Sequence, residues 1–276
     1  MVAVNDSLSA SNPACTLTIL MPVRNEGVNL RIMLKMLHTL VEVPHEVIVV
    51  HDTPNDDSLD VVSELSSNHP VRTVHNTLGI GVVNAIRVGV GTATGRYVLV
   101  FAADEVGPVL AIEDMLALMD QGCEFVSCTR YAHGGRRLGG SVVGRVLSQT
   151  ANKLFHWMAG SVLTDCTTGI KMFQRDQFET LQLESQGLGG EAGGWVVAFE
   201  MGIKAQLRGL VMGEVPIISI DRLYGGKSTF HAWPWTVEYL RWFIWGVRQL
   251  RMKRQNKGTV LVRVPESTAI GGRVAR

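Results

Sequence analysis

Three short segments gather carboxylates and amides where apolar runs end. They are Pro22-Val23-Arg24-Asn25-Glu26-Gly27, His51-Asp52-Thr53-Pro54-Asn55-Asp56-Asp57 and Ala102-Ala103-Asp104-Glu105. Carboxylates in such places do one of two things: they bind a ligand laid across the strand ends, or they cap the helices that follow. For Asp56 and Asp57 the two readings stand level. Asp104 directly ends a very apolar run, which favours the ligand reading.

These segments make sense only if the elements around them line up. Leu17 to Val23, Glu46 to Val50 and Tyr97 to Ala103 read as buried strands, and Val71 to Val74 as a short one. Leu30, Met33, Leu34 and Leu37 recur at helical spacing, as do Leu59, Val62 and Leu65 in Ser58 to Ser66, and Val82 to Val90 reads as a further helix. Strands alternating with helices predict right-handed βαβ units, and hence a mostly parallel α/β sheet with helices on both faces. Ligands bind such sheets at the carboxyl ends of the strands, which is where the acids fall. Further on, a strand is expected at Val126–Arg130, a loop at Gly134–Gly144, a helix at Val146–Gly160 and a polar turn at Thr164–Lys171. A helix at Trp195–Leu207, a strand broken by Pro216 within Val211–Ile220, a loop at Asp221–Phe230 and a short strand at Val260–Val264 complete the reading.

Composition narrows the class. The chain has 276 residues, is 46% hydrophobic and 18% charged, and carries a formal charge of +1, with no global attraction for nucleic acid. The charge is uneven: residues 236–276 hold nine Lys/Arg and two acids, a surplus of seven that leaves the remainder six negative. Cys15, Cys123, Cys128 and Cys166 lack metal-ligand spacing and read as reduced intracellular thiols. Residues 1–14 are polar, do not resemble a signal peptide and are expected to be disordered. No run reaches the roughly 18 apolar residues of a membrane-spanning helix.

The loops, read together from Leu17 to Leu250, resemble glycosyltransferase family 2, in the branch of dolichyl-phosphate mannosyltransferases and polyprenyl-phosphate sugar transferases. Met21-Pro22-Val23-Arg24-Asn25-Glu26 is similar to that family's P-x-x-N-E segment. Val49-Val50-His51-Asp52 is similar to its V-V-D-D strand end, with His51 in place of the first acid, and Gly79-Ile80-Gly81 with Asn84 and Ala85 to its G-x-G-x-A stretch. Ala102-Ala103-Asp104 occupies the place of its D-x-D, with only the second acid kept. Thr129-Arg130-Tyr131, Ser148 to Asn152, Asp165 to Lys171 and Glu214-Val215-Pro216-Ile217 follow the family's S-R-Y, S-x-x-A-N, D-x-T-S-G-F-R and E-V-P-I segments in order. Asp221 to Ser228 follows its R-x-x-G-x-S, and Glu200 matches a recurring acid.

The resemblance implies a GT-A, Rossmann-like fold and a nucleotide-diphosphate-sugar donor, held by Pro22, Arg24, Glu26, Asp52, Gly81, Asn84 and Ala103. It implies Mg²⁺ or Mn²⁺ at Asp104, helped by Glu105, and catalytic roles for Asp104, Arg130, Asp165 and Arg222. It places an acceptor phosphate against Arg136, Arg137, Arg145, Ser148 and Lys227. The implied reaction is inverting transfer of a hexose to a polyprenyl or dolichyl phosphate. An anionic acceptor of that kind needs no general base, whereas a sugar hydroxyl would need one, with Asp165 or Glu200 as candidates. A catalytically degraded nucleotide-sugar-binding protein is the reading from another class, suggested by His51 and Ala102. A nucleotidyltransferase would need a Gly-rich loop that Pro22–Gly27 lacks.

The expected organisation is a GT-A domain over 15–232, a Trp/Arg-rich helix over 233–256 and a tail over 257–276. Trp233, Trp235, Trp242 and Trp245 precede Arg248, Arg251, Lys253 and Arg254, residues that settle at headgroup level. Leu240, Phe243, Val247 and Leu250 form the predicted apolar stripe. Peripheral contact on the cytoplasmic face of a membrane is one expectation; packing of this helix on the domain is the other.

Overall fold

The structure, a computed structural model, describes residues 15–138, 142–185, 194–220, 232–253 and 260–264. The first half alternates as the pattern requires: β1 (Leu17–Val23), α1 (Gly27–Leu40), β2 (His45–His51), α2 (Ser58–Leu65), β3 (Val71–His75), α3 (Val82–Thr92) and β4 (Tyr97–Val100). Then come α4 (Ile112–Asp120), β5 (Phe125–Thr129), β6 (Arg136–Leu138), α5 (Val142–Ala159), β7 (Lys171–Gln174), α6 (Val196–Arg208), β8 (Met212–Pro216), β9 (Ile218–Ile220), α7 (Ala232–Met252) and β10 (Val260–Val262). The main sheet runs β10-β8-β5-β7-β4-β1-β2-β3, and β6 pairs with β9 in a small parallel ribbon.

Period-two alternation divides each strand between two cores. Leu17, Ile19, Met21 and Val23 of β1 join Tyr97 and Leu99 of β4 under α1, α2 and α4. Leu20, Val98 and Val100 face the opposite core, which is roofed by α3, α5, α6 and α7. With both faces covered, the strands read as continuous apolar runs. Helix α1 presents Leu30, Met33, Leu34 and Leu37 at the three-and-four spacing of one buried face.

Strand β7 is antiparallel to both of its neighbours, β4 and β5. Its reversal has a consequence for the site: the chain enters β7 at the carboxyl edge of the parallel strands, so the 164–171 turn arrives beside the ends of β4 and β5.

Several expectations are corrected. β4 ends at Val100 rather than Ala103, so Ala102 and Asp104 lie in the loop beyond it. The 134–144 loop contains β6, which places Arg136 and Arg137 on a strand, and α5 starts at Val142. The broken strand at Pro216 is two strands in different sheets, because β8 ends on Pro216 opposite Thr129 while β9 leaves to pair with β6.

The predicted stripe on α7 holds for Leu250, which is buried, and for Phe243 and Val247, which pack against the core, but Leu240 is exposed. Trp242 and Gly246 also face inward. A Cβ on Gly246 would stand 2.8 Å from Ile203 Cδ1 and 2.9 Å from Phe155 Cζ, so the glycine favours this close approach. The packing reading therefore holds for Trp242, which is buried. No helix among the described residues is long and apolar enough to cross a membrane.

Gly107 sets a second close approach, because a Cβ there would lie 1.8 Å from the Ile218 carbonyl oxygen of β9. The conflict is with backbone, so the loop after β4 and the β6–β9 ribbon must part. Gly107→Ala is expected to cost about 1–3 kcal/mol in equilibrium urea unfolding; an unchanged midpoint would mean the ribbon is not pinned there.

Candidate active site

The loop after β1 is held by side chains from the loop after β2. Asn25 N–H donates to Asp56 Oδ2 (3.0 Å), Glu26 N–H to Ser58 Oγ (3.1 Å) and Gly27 N–H to Asp57 Oδ1 (2.9 Å). Asp56 also accepts from Ser58 N–H at 2.9 Å, in the first turn of α2. Asp56 and Asp57 are thus caps, and Asp57 caps α1 rather than its own helix. Asn25 sits at φ 55°, a left-handed turn that throws its neighbours across the sheet edge.

Asp52 performs the matching task one strand over. Its Oδ1 accepts from Asn76 Nδ2 (2.7 Å) and its Oδ2 from Gly81 N–H (3.1 Å), fixing the entry to α3. Gly81 has φ 134°, open to glycine and strained for other residues. Asn84 Nδ2 donates to the carbonyls of Leu78 and Gly79, both at 3.0 Å. His51 is buried, with Nδ1 2.8 Å from the Thr53 carbonyl and its ring 5.1 Å from that of His75. Pro22 is half-buried in β1, Arg24 is exposed, and Glu26 accepts from Asn29 Nδ2 at 2.7 Å.

Beyond β4, Ala103 is buried and Asp104 half-buried. Glu105 accepts a hydrogen bond from Ser219 Oγ of β9. Because β9 pairs with β6 in the register Arg136↔Ile218 and Arg137↔Ser219, this bond fastens the arginine-bearing ribbon to the loop that holds Asp104.

The densest network lies where β5 ends. Arg130 donates to Asp165 through Nε (2.7 Å) and Nη2 (2.9 Å), and its backbone N–H adds a third bond at 3.1 Å. Thr167 Oγ1 accepts from Arg130 Nη2 and from Asn152 Nδ2, and donates to Asp165 Oδ1. Asn152 stands on α5 one turn after Ser148, whose Oγ accepts from the Tyr131 hydroxyl at 2.9 Å. Burial alone would pull the Arg130 pKa down and push the Asp165 pKa up. Their mutual attraction outweighs it, so Arg130 is held above its ordinary value and Asp165 below.

Two more ionisable groups share this layer, and the sequence reading gave neither a role of its own. Lys171, fully buried, donates to Ser127 Oγ at 2.6 Å, and desolvation lowers its pKa. Glu214 accepts from Thr164 N–H and Oγ1, both at 2.9 Å, and burial raises its pKa. Each lies in a matched motif, but only the strand order shows that both stand in register with Ser127, one on either side of β5.

Glu200 belongs elsewhere. It is fully buried on α6, accepts from Ser185 N–H (2.9 Å) and Oγ, and pairs with Lys204 at 2.8 Å. It is a satisfied core acid. Arg145 is half-buried on α5. Arg222 and Lys227 lie outside the described residues.

A mostly parallel sheet with one reversed strand, and acids along its carboxyl edge, defines a GT-A glycosyltransferase fold. Solved structures agree: glucosyl-3-phosphoglycerate synthase from Mycobacterium tuberculosis, in complex with phosphoglyceric acid, superposes with a TM-score of 0.63 at 16% identity, over 84% of this chain and 80% of that one. The same enzyme with Mn²⁺, uridine diphosphate and glucosyl-3-phosphoglycerate gives 0.59 at 16% identity, over 86% and 79%.

Residues 18–182 match the profile of Glycosyl transferase family 2, and the chain belongs to that family. It is 26% identical over 212 residues to polyprenol monophosphomannose synthase of Mycolicibacterium smegmatis, spanning 75% of this chain and 78% of that protein. It is 27% identical over 120 residues to dolichol-phosphate mannosyltransferase of Pyrococcus furiosus, spanning 43% of this chain and 34% of that protein. The protein is a glycosyltransferase.

Asp165→Asn leaves Arg130 buried beside a neutral partner and is expected to cost about 3–5 kcal/mol at pH 7. The folded-state pKa of Asp165 lies below the ordinary carboxylate value of about 3.9, so its stabilisation is complete above that pH. It is lost as pH falls through the lower, folded value. Urea unfolding of both proteins from neutral pH downward is expected to show a constant gap that closes only below the ordinary range. A gap closing between pH 7 and 5 would mean Asp165 is not held ionised.

Proposed function

We propose that the chain transfers a hexose, with inversion, from a GDP- or UDP-sugar to a polyprenyl-type lipid phosphate. The observation that carries this reading is the state of the two acids offered as bases. Asp165 is saturated by Arg130 and Thr167, and Glu200 by Ser185 and Lys204. An acceptor hydroxyl would need a carboxylate free to take its proton, and neither of these is free to do so. A phosphate arrives as an anion and needs none, so catalysis reduces to holding two charged groups in line.

The residues divide accordingly. Glu26, with the loops around Asp52 and Gly81, binds the nucleoside end. Arg136 and Arg137 on β6, with Arg145 and Ser148 on α5, receive the acceptor phosphate; guanidinium forks suit phosphate oxygens. Arg222 and Lys227 are assigned to the phosphates by sequence alone. Asp165 is then a positioning residue that aims Arg130.

Mg²⁺ or Mn²⁺, when bound, would neutralise charge on the departing diphosphate. Among the described residues no group of three His, Cys, Asp or Glu side chains is placed to hold an ion. Asp104 suits a cation that keeps diphosphate oxygens and waters as its other ligands, as Mg²⁺ commonly does. Glu105 is engaged by Ser219, which leaves Asp104 as the principal protein ligand. A lipid acceptor also supports a peripheral position on the cytoplasmic face of a membrane.

The test is nucleotide release from GDP- and UDP-sugars by purified protein, with and without a prenyl phosphate. Release that depends on the prenyl phosphate and falls about 100-fold or more in Asp104→Ala is expected. Nucleotide binding without release from any donor would sink the transferase reading of this site.

A further inference from the structure

Among the described residues, helix α5 leaves an apolar face uncovered. Trp157 is 77% exposed, and Val142, Val143, Val146, Leu147 and Leu154 are each between 44% and 67% exposed. At helical spacing these six lie on one side, opposite the buried Asn152, Phe155 and Ala159. Single exposed apolar residues are ordinary, but a whole face of them marks an interaction surface. Helix α7 lies alongside, with Phe243 5.2 Å from Phe155 and Arg251 Nε 2.6 Å from the Met158 carbonyl. Its outward Leu240 and Ile244, 56% and 47% exposed, extend the face.

Charge selects the occupant. Helix α5 carries Arg145 and Lys153 and no acid. Helix α7 carries Arg241, Arg248 and Arg251, and its one acid, Glu238, is only 3% exposed. A second copy docked on this face would set cations against cations. An anionic headgroup layer would attract all of them while its acyl boundary takes the apolar side chains.

We propose that the outward face of α5, extended by Leu240 and Ile244 of α7, rests on an anionic lipid bilayer. The indole that enters the interface is Trp157, whereas Trp242 is buried against the domain. The other side of α5 carries Ser148, bonded to Tyr131, and Asn152, bonded to Thr167. A lipid acceptor's phosphate would therefore meet the site about one helix diameter, roughly 10 Å, from the bilayer. For the acceptor this rests on the lipid-phosphate reading; the surface itself does not.

The experiment is flotation of the full chain with vesicles of phosphatidylcholine alone or mixed with phosphatidylglycerol. Wild type is expected to float with the anionic vesicles only, and the double variant Val146→Glu/Trp157→Glu to lose about tenfold or more of the bound fraction. Leu40→Glu, at the far end of α1, is expected to float like wild type. Should the double variant fail to fold, brominated-lipid quenching decides: tryptophan emission must be quenched more in wild type than in Trp157→Phe. Equal quenching, unchanged flotation of the double variant, or a wild-type dimer that the variant converts to monomer overturns the proposal. Transfer to a short, water-soluble prenyl phosphate separates the two readings. Flotation without transfer leaves the surface standing and sinks the acceptor, and transfer without flotation does the reverse.

Discussion

The carboxyl edge of this sheet depends on one buried ion pair. Asp165 is completely buried and the Arg130 side chain only 12% exposed, so neither charge is tolerable without the other. Their bidentate contact joins the end of β5 to the turn that feeds the reversed β7. Through Thr167 and Asn152 the same contact locks α5, and through Thr164 it meets Glu214 in the middle of β8. Three strands and a helix are therefore positioned by a single polar layer. Lys171 and Glu214 share it with pKa values moved in opposite directions by one cause: desolvation favours the neutral amine and the neutral carboxyl alike. A layer of this kind is costly to assemble piecemeal and rigid once complete.

How far the sequence disclosed this follows from which contacts are local. β1 to β4 with their helices were legible, because strands buried on both faces write continuous apolar runs and α1 writes its spacing plainly. β7 was not, since four residues after a polar turn carry no period. Its direction is set by pairing with Val98–Val100 and Ser127, far away in the chain. Helix α4 lay unread behind Asp104. The inward face of α7 was legible for Phe243, Val247 and Leu250 but not for Trp242 and Gly246, because a residue without hydrophobic weight adds nothing to an apolar pattern yet sits against Phe155 and Ile203.

The site shows the same division. Glu26, Asp52 and Asp104 stood out in the sequence after apolar runs, and the structure sets Asp52 directly after β2 and Asp104 in the loop beyond β4. That Asp56 and Asp57 clamp the neighbouring loop could not be read there, because each bond spans about thirty residues. The caps consume Asp56 and Asp57 so that Asn25 and Glu26 are held in a left-handed turn facing the edge.

The departures from the family pattern have a common electrostatic sense. His51 and Ala102 each replace a carboxylate at the same sheet edge, and Glu105 is drawn off by Ser219. An edge with fewer acids repels an incoming diphosphate less, because unit charges about 4 Å apart interact by roughly 4 kcal/mol at a protein surface. His51 closes its loop in a different way, its Nδ1–H donating to the Thr53 carbonyl at 2.8 Å, a bond that an ionised carboxylate cannot make. Asp52 then needs only Asn76 and Gly81 to hold its place. The edge keeps its ordered loops while carrying less negative charge than the family pattern would give it.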